Sequence, residues 1–239
     1  FLSNAISCYG NAEVKLKKVT FDTIHGVSVS DTANATLTDV AVKTYDRDTL
    51  LVSVGKTASA TVESASIQPG TGTYDRRAAI NNAGTLNVKA LTVADGISLN
   101  VSNSGGTATY NNLDLSNCTT YFTVSGGTMN LEGGSFAADT DMFTVSGGTA
   151  NMNGCTLALK NNSDKSKYTR YFFQLTGGEA NLNGGALVAD TGTKYPYVAN
   201  GTGGTLKLDG ELKYTKVEEG AVLRTMLAAP DNYKIALGD

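Results

Sequence analysis

The chain of 239 residues has no tryptophan, only three prolines and three cysteines, and a single histidine. Three cysteines cannot all pair within one chain, and none stands in a Cys-x-x-Cys or His/Cys ligand cluster, which excludes a disulfide-dense scaffold and offers no zinc spacing. No run of 18 or more apolar residues exists, so no membrane-spanning helix is expected. A formal net charge of −3 lacks the strongly basic stripe of a nucleic-acid binder, and that partner is not expected. Gly-x-Ser-x-Gly and phosphate-loop motifs are also missing, and no cofactor is implied. The amphipathic 3.6-residue period of a long helix does not occur.

What the chain does have is a recurring pattern of inward positions. Counted from Leu16, Leu37, Val62, Val88, Tyr110, Leu131, Met152, Leu182 and Leu208, small or apolar residues fall at −2 and 0, and in most units again at +3 and +5. A third pair comes earlier, at −10 and −8 in the first four units and at −9 and −7 in later ones. Anchor spacings run from 21 to 30 residues, within the range of repeat architectures. The repeat is clearest where Phe122-Thr123-Val124-Ser125-Gly126-Gly127-Thr128-Met129-Asn130-Leu131 returns as Phe143 to Met152. Inward residues two apart are the mark of strands, so each unit reads as three short strands. These cannot bury their apolar face alone, but stacked turns pair each strand with its counterparts above and below.

The expectation is an all-β fold, a right-handed parallel β-helix of about nine to ten coils, forming one domain over residues 1–239. Gly-Gly pairs in the later units supply a corner that Ala12, Ala33 and Ala58 occupy in the earlier ones. The segment 223–239 departs from the repeat and is expected to cap the stack. The chain starts without Met or a signal peptide, with Ile6 and Cys8 already at inward positions, and is expected to be a segment or mature form of a longer protein. Cys8 and Cys155 also fit buried small hydrophobes, whereas Cys118 falls at a turn where exposure is expected.

Two outward features bear on function. Insertions at 43–49, 68–77, 160–170 and 190–195 fall at the same corner, and they carry Tyr45 and Arg47, Tyr74 and Arg76, Tyr168 and Arg170, and Tyr195. Rings beside fixed charges can stack on sugars and hydrogen-bond hydroxyls, so these seven residues are the candidate ligand-binding set; the alternative is solvated loops whose tyrosines cover the core's edge. On the middle strand the −3 column reads Glu13, Asn34, Ser59, Thr85, Thr107, Thr128, Thr149, Glu179, Thr205, and the −1 column Lys15, Thr36, Thr61, Asn87, Thr109, Asn130, Asn151, Asn181, Lys207. This Thr/Asn array resembles ice-binding faces and also suits an ordered polysaccharide or an ordinary solvated sheet.

The strings Ser125 to Gly134 and Ser146 to Cys155 resemble right-handed parallel β-helix (pectate-lyase-like) repeats of bacterial surface proteins and adhesins. The resemblance implies an extracellular or cell-surface adhesin or stalk segment, not an enzyme, with glycans or host receptors as partners. The alternatives it carries are a carbohydrate-active enzyme and a tailspike-like receptor-binding module, for which Asp139 and Asp141 near Arg170 would be the acidic and basic candidates. An ice- or crystal-binding face is the third. His25 has no partner that the sequence identifies.

Overall fold

A computed structural model describes residues 5–23, 25–45, 48–70, 76–160, 170–189, 196–216 and 233–237. The described segments contain no helix and every strand pairing is parallel. The first turn comprises β1 (Ile6–Cys8), β2 (Glu13–Lys17) and β3 (Thr20–Phe21), and the second β4 (His25–Val29), β5 (Asn34–Thr38) and β6 (Val40–Thr44). The third is β7 (Thr49–Val54), β8 (Ser59–Val62) and β9 (Ala65–Pro69), and the fourth β10 (Arg76–Asn82), β11 (Thr85–Val88) and β12 (Leu91–Val93). Beyond these, ladders run through the corners. Thus β13 (Ile97–Leu115), β14 (Thr119–Ala138), β18 (Arg170–Ala189) and β19 (Pro196–Lys216) each follow a whole turn, whereas β15 (Phe143–Val145), β16 (Thr149–Asn153) and β17 (Thr156–Leu159) divide one between them. A final strand, β20 (Tyr233–Leu237), pairs with β19.

Register confirms the repeat residue by residue. Leu16 pairs with Leu37, Leu37 with Val62, Val62 with Val88, and so through Tyr110, Leu131, Met152 and Leu182 to Leu208. Leu237 adds one more rung to the file. The solenoid makes about eight turns rather than nine to ten.

The axis of the coil is filled by the expected inward side chains. Phe122 stacks on Phe143 at 4.6 Å between centroids, Phe143 on Phe173 at 5.4 Å, and Phe136 meets Phe122 edge-on. Identical rings one rung apart pack face to face because parallel in-register strands repeat every side chain along the axis.

Two corners differ chemically. Between the first and second strands of the later turns, Gly106, Gly127, Gly148 and Gly178 all hold positive φ, and a Cβ on Gly106 would stand 1.9 Å from the Gly84 carbonyl oxygen. Only glycine permits both the backbone angle and that approach. The corner after the second strand places Lys18, Asp39, Asn112, Gly133, Gly154 and Gly184 at positive φ, each two residues past its marker.

One frame differs from the sequence pattern. In the fourth turn Ile80 stacks on Val52 and Val101, and Asn82 on Val54 and Asn103, so the stacked pair lies at −8 and −6 from Val88, not −10 and −8. A bulge in the pairing with β7 absorbs the shift, and Ala83-Gly84 alone spans the corner. Asn82 makes that shortening possible: its Oδ1 accepts from the Gly84 amide at 3.2 Å and its Nδ2 donates to the Gly84 carbonyl at 3.1 Å.

Cys118 is buried, contrary to expectation, with Sγ 3.5 Å from both the Leu115 carbonyl and the Thr120 hydroxyl. The turn itself is tight enough to point the small side chain inward. Cys8 and Cys155 occupy the core as expected.

Candidate functional site

In the sequence, each insertion runs from the end of one turn's last strand to the start of the next turn's first strand. Of the candidate residues there, Arg47, Tyr74, Tyr168 and Tyr195 lie outside the described residues. Tyr45 donates its hydroxyl to Asp22, which also takes the Lys43 ammonium at 3.2 Å. Those bonds, Tyr45 first, hold the Asp22 carboxyl below the usual range. Tyr45, Lys43 and Asp22 thus form a polar cluster on the edge, contributed by two successive turns.

Arg76 opens β10 and is partly exposed, paired through its backbone with Ile97. Arg170 does not reach the surface. It is 1% exposed and donates from Nη1 to the Lys160 carbonyl at 2.6 Å, which ties the first residue of β18 to the end of the preceding turn. An arginine so enclosed braces the corner and offers no guanidinium face to a ligand.

Asp139 and Asp141 serve the same corner. Asp139 accepts the Tyr121 hydroxyl, while Asp141 accepts the Tyr171 amide at 2.9 Å and the Gln174 side-chain amide. Burial and the bond to Asp139 push the Tyr121 hydroxyl well above its ordinary pKa. His25 begins β4, its backbone tied to the Thr23 hydroxyl and its Nε2 enclosed without a hydrogen-bond partner among the described residues. Among the described residues no group of three or more His, Cys, Asp or Glu side chains converges on a point.

The middle strands carry the more regular surface. Their −3 and −1 columns lie in unbroken file from Glu13 and Lys15 to Thr205 and Lys207. In the later rungs the −1 amides join in series: Asn151 donates to Asn130 and Asn181 to Asn151, each at 2.8 Å. Beside them Asn153 donates to both oxygens of Glu132, at 3.0 and 3.1 Å. The series stops at Lys207, whose ammonium meets Glu179 at 2.9 Å. That ion pair, then the Asn181 amide, hold the Glu179 carboxyl below its usual range.

Here the surface dips into a shallow groove of about 270 Å³ lined by Asn151, Asn153, Asn181, Asn183, Lys207 and Asp209. The two columns were legible in the sequence. The groove was missed because it depends on side chains at +1, namely Asn153, Asn183 and Asp209, which also repeat at the marker spacing and were the available signal. No family model, curated protein or solved structure matches the chain.

Proposed function

We propose that the chain is a segment of an extracellular bacterial surface protein, an adhesin or stalk, that presents a rigid outer surface to glycans. The observation that carries this reading is the unbroken file of markers from Leu16 to Leu208. Eight rungs at ~4.8 Å give a rod advancing about 38 Å along its axis, held at every rung by main-chain hydrogen bonds. Such a rod transmits position and load, and it displays any outward residue type as a linear array. A stalk needs the first property and an adhesin the second. Tyr45 and Arg76 on the loop-bearing edge, with Arg47, Tyr74, Tyr168 and Tyr195 in its insertions, are the residues proposed to meet a sugar there; the burial of Arg170 sets it apart from them.

A glycan array tests the reading. Saturable binding that is weakened by Arg76→Ala or Tyr74→Ala supports an adhesive edge, and no binding to any sugar leaves the stalk alone. Release of product from polygalacturonate or another acidic glycan, abolished by Asp139→Ala or Asp141→Ala, would replace the proposal with an enzyme.

A further inference from the structure

The donors of the Asn130, Asn151 and Asn181 series all point the same way along the axis, so each Oδ1 is capped by the next rung's amide except the last. Asn181 Oδ1 ends the series. It is enclosed and has no hydrogen-bond donor among the described residues, where the next rung supplies Lys207, whose ammonium turns to Glu179 instead. An enclosed carbonyl without a donor costs about 1–3 kcal/mol, and folded proteins rarely leave one unless something else satisfies it. Asn181 lies in the wall of the groove. Exposed Asn183 and Asp209 and half-buried Asn153 line the same groove, so amide donors and carbonyl or carboxylate acceptors are close together. The Lys207 side chain, in the same wall, is 48% exposed.

We infer that this groove is a second glycan subsite, on the flat face instead of the loop edge, and that it takes an uncharged, hydroxyl-rich chain lying along the solenoid axis. A sugar hydroxyl both donates and accepts, which suits a surface of primary amides; one such hydroxyl supplies the donor that Asn181 Oδ1 lacks. Charge selects against acidic chains. Glu132, bonded to Asn153, and Glu179, bonded to Asn181, flank the groove against the single Lys207 ammonium, a negative excess that repels uronates and sulfates. The axial direction follows from the repeat: equivalent amides recur once per rung at ~4.8 Å, a step close to that of one residue in an extended pyranose chain. The inference rests on the proposed recognition of glycans and locates a site for it.

The test is titration calorimetry of the whole chain with neutral gluco-, manno- and galacto-oligosaccharides, with oligogalacturonate as the acidic counter-probe. Binding of a neutral oligomer that weakens about tenfold or more in Asn183→Ala and in Asn181→Leu, but not in Lys56→Ala at an exposed turn away from both surfaces, is the expected result. Asn183 is exposed, so its variant reports on the groove even where Asn181→Leu disturbs folding. Binding lost in Arg76→Ala and unchanged in Asn183→Ala overturns the face site and leaves the edge. Preference for the acidic oligomer, or no affinity for any neutral one, also overturns it. Ice-growth inhibition lost on Thr128→Val would assign the face to a crystal surface instead, again against the inference.

Discussion

Asn82 donates from Nδ2 to Asn103 Oδ1 at 2.7 Å, one rung apart and inside the core, where both side chains are no more than 2% exposed. Asn103 passes the chain on by donating to the Gly126 carbonyl at 2.8 Å. Two buried amides therefore serve the carbonyls of three successive corners, Gly84, Gly105 and Gly126, the first of which also accepts from the Thr107 amide at 2.7 Å. Replacing Asn103 by Leu removes the nearest of Asn82's acceptors and the side-chain donor to Gly126. The expected loss is about 2–4 kcal/mol in urea unfolding. The double variant Asn82→Leu/Asn103→Leu should lose less than the sum of the two singles, because the interaction between them is counted once.

Glycine at the inner corner carries more than turn propensity. Gly106→Ala forces a Cβ to 1.9 Å from the Gly84 oxygen at positive φ, so adjacent rungs must separate. Gly154→Ala imposes a similar angle with nothing within 4 Å. The second should cost about 1–2 kcal/mol, the price of left-handed backbone alone, and the first clearly more. Equal effects in chemical denaturation would show that the close approach does not matter.

Tyr110 is a marker residue whose hydroxyl is buried without a hydrogen-bond partner among the described residues. Removing it in Tyr110→Phe should stabilise the chain at neutral pH by about 1 kcal/mol. The same burial keeps the folded hydroxyl protonated well beyond the usual tyrosine range. As pH rises past about 10 the unfolded chain ionises and the folded one does not, so stability that is complete below that pH is lost above it. Thermal melts from pH 8 to 11 should fall less steeply in Tyr110→Phe than in the parent.

Three buried thiols should be inert. Desolvation pushes Cys155 up to about 12 and raises Cys118 and Cys8 above the ordinary range. A negligible thiolate fraction and no access leave little to react. Mass spectrometry after iodoacetamide at pH 8 should find all three unmodified in the native chain and modified in denaturant. Rapid native labelling of Cys118 would place it at the surface.

Much of the fold was legible because a solenoid repeats its side chains along one axis: once Leu131 and Met152 were seen as equivalent, the register of Thr128 on Thr149 and Asn130 on Asn151 followed. The exceptions have local causes. Asn82 is polar at an inward position, so apolar counting passed over it and selected Ala78 and Ile80 as the pair. Cys118 and Arg170 were assigned to the surface by their place at corners, and both are drawn inward by carbonyls that need a partner. Corner geometry depends on which main-chain groups remain to be satisfied, and the inward pattern carries no such information. The groove was hidden for a related reason, since the direction in which an amide series donates appears only once the side chains are placed.

The central claim is that equivalent positions lie in single file along one axis. Electron spin resonance distances from a label at Glu13 to labels at Thr149 and at Thr205, six and eight rungs away, test it directly. The account predicts narrow distributions near ~29 and ~38 Å, increasing by one rung spacing per turn. Broad distributions, or a Thr205 distance no longer than that to Thr149, would contradict it.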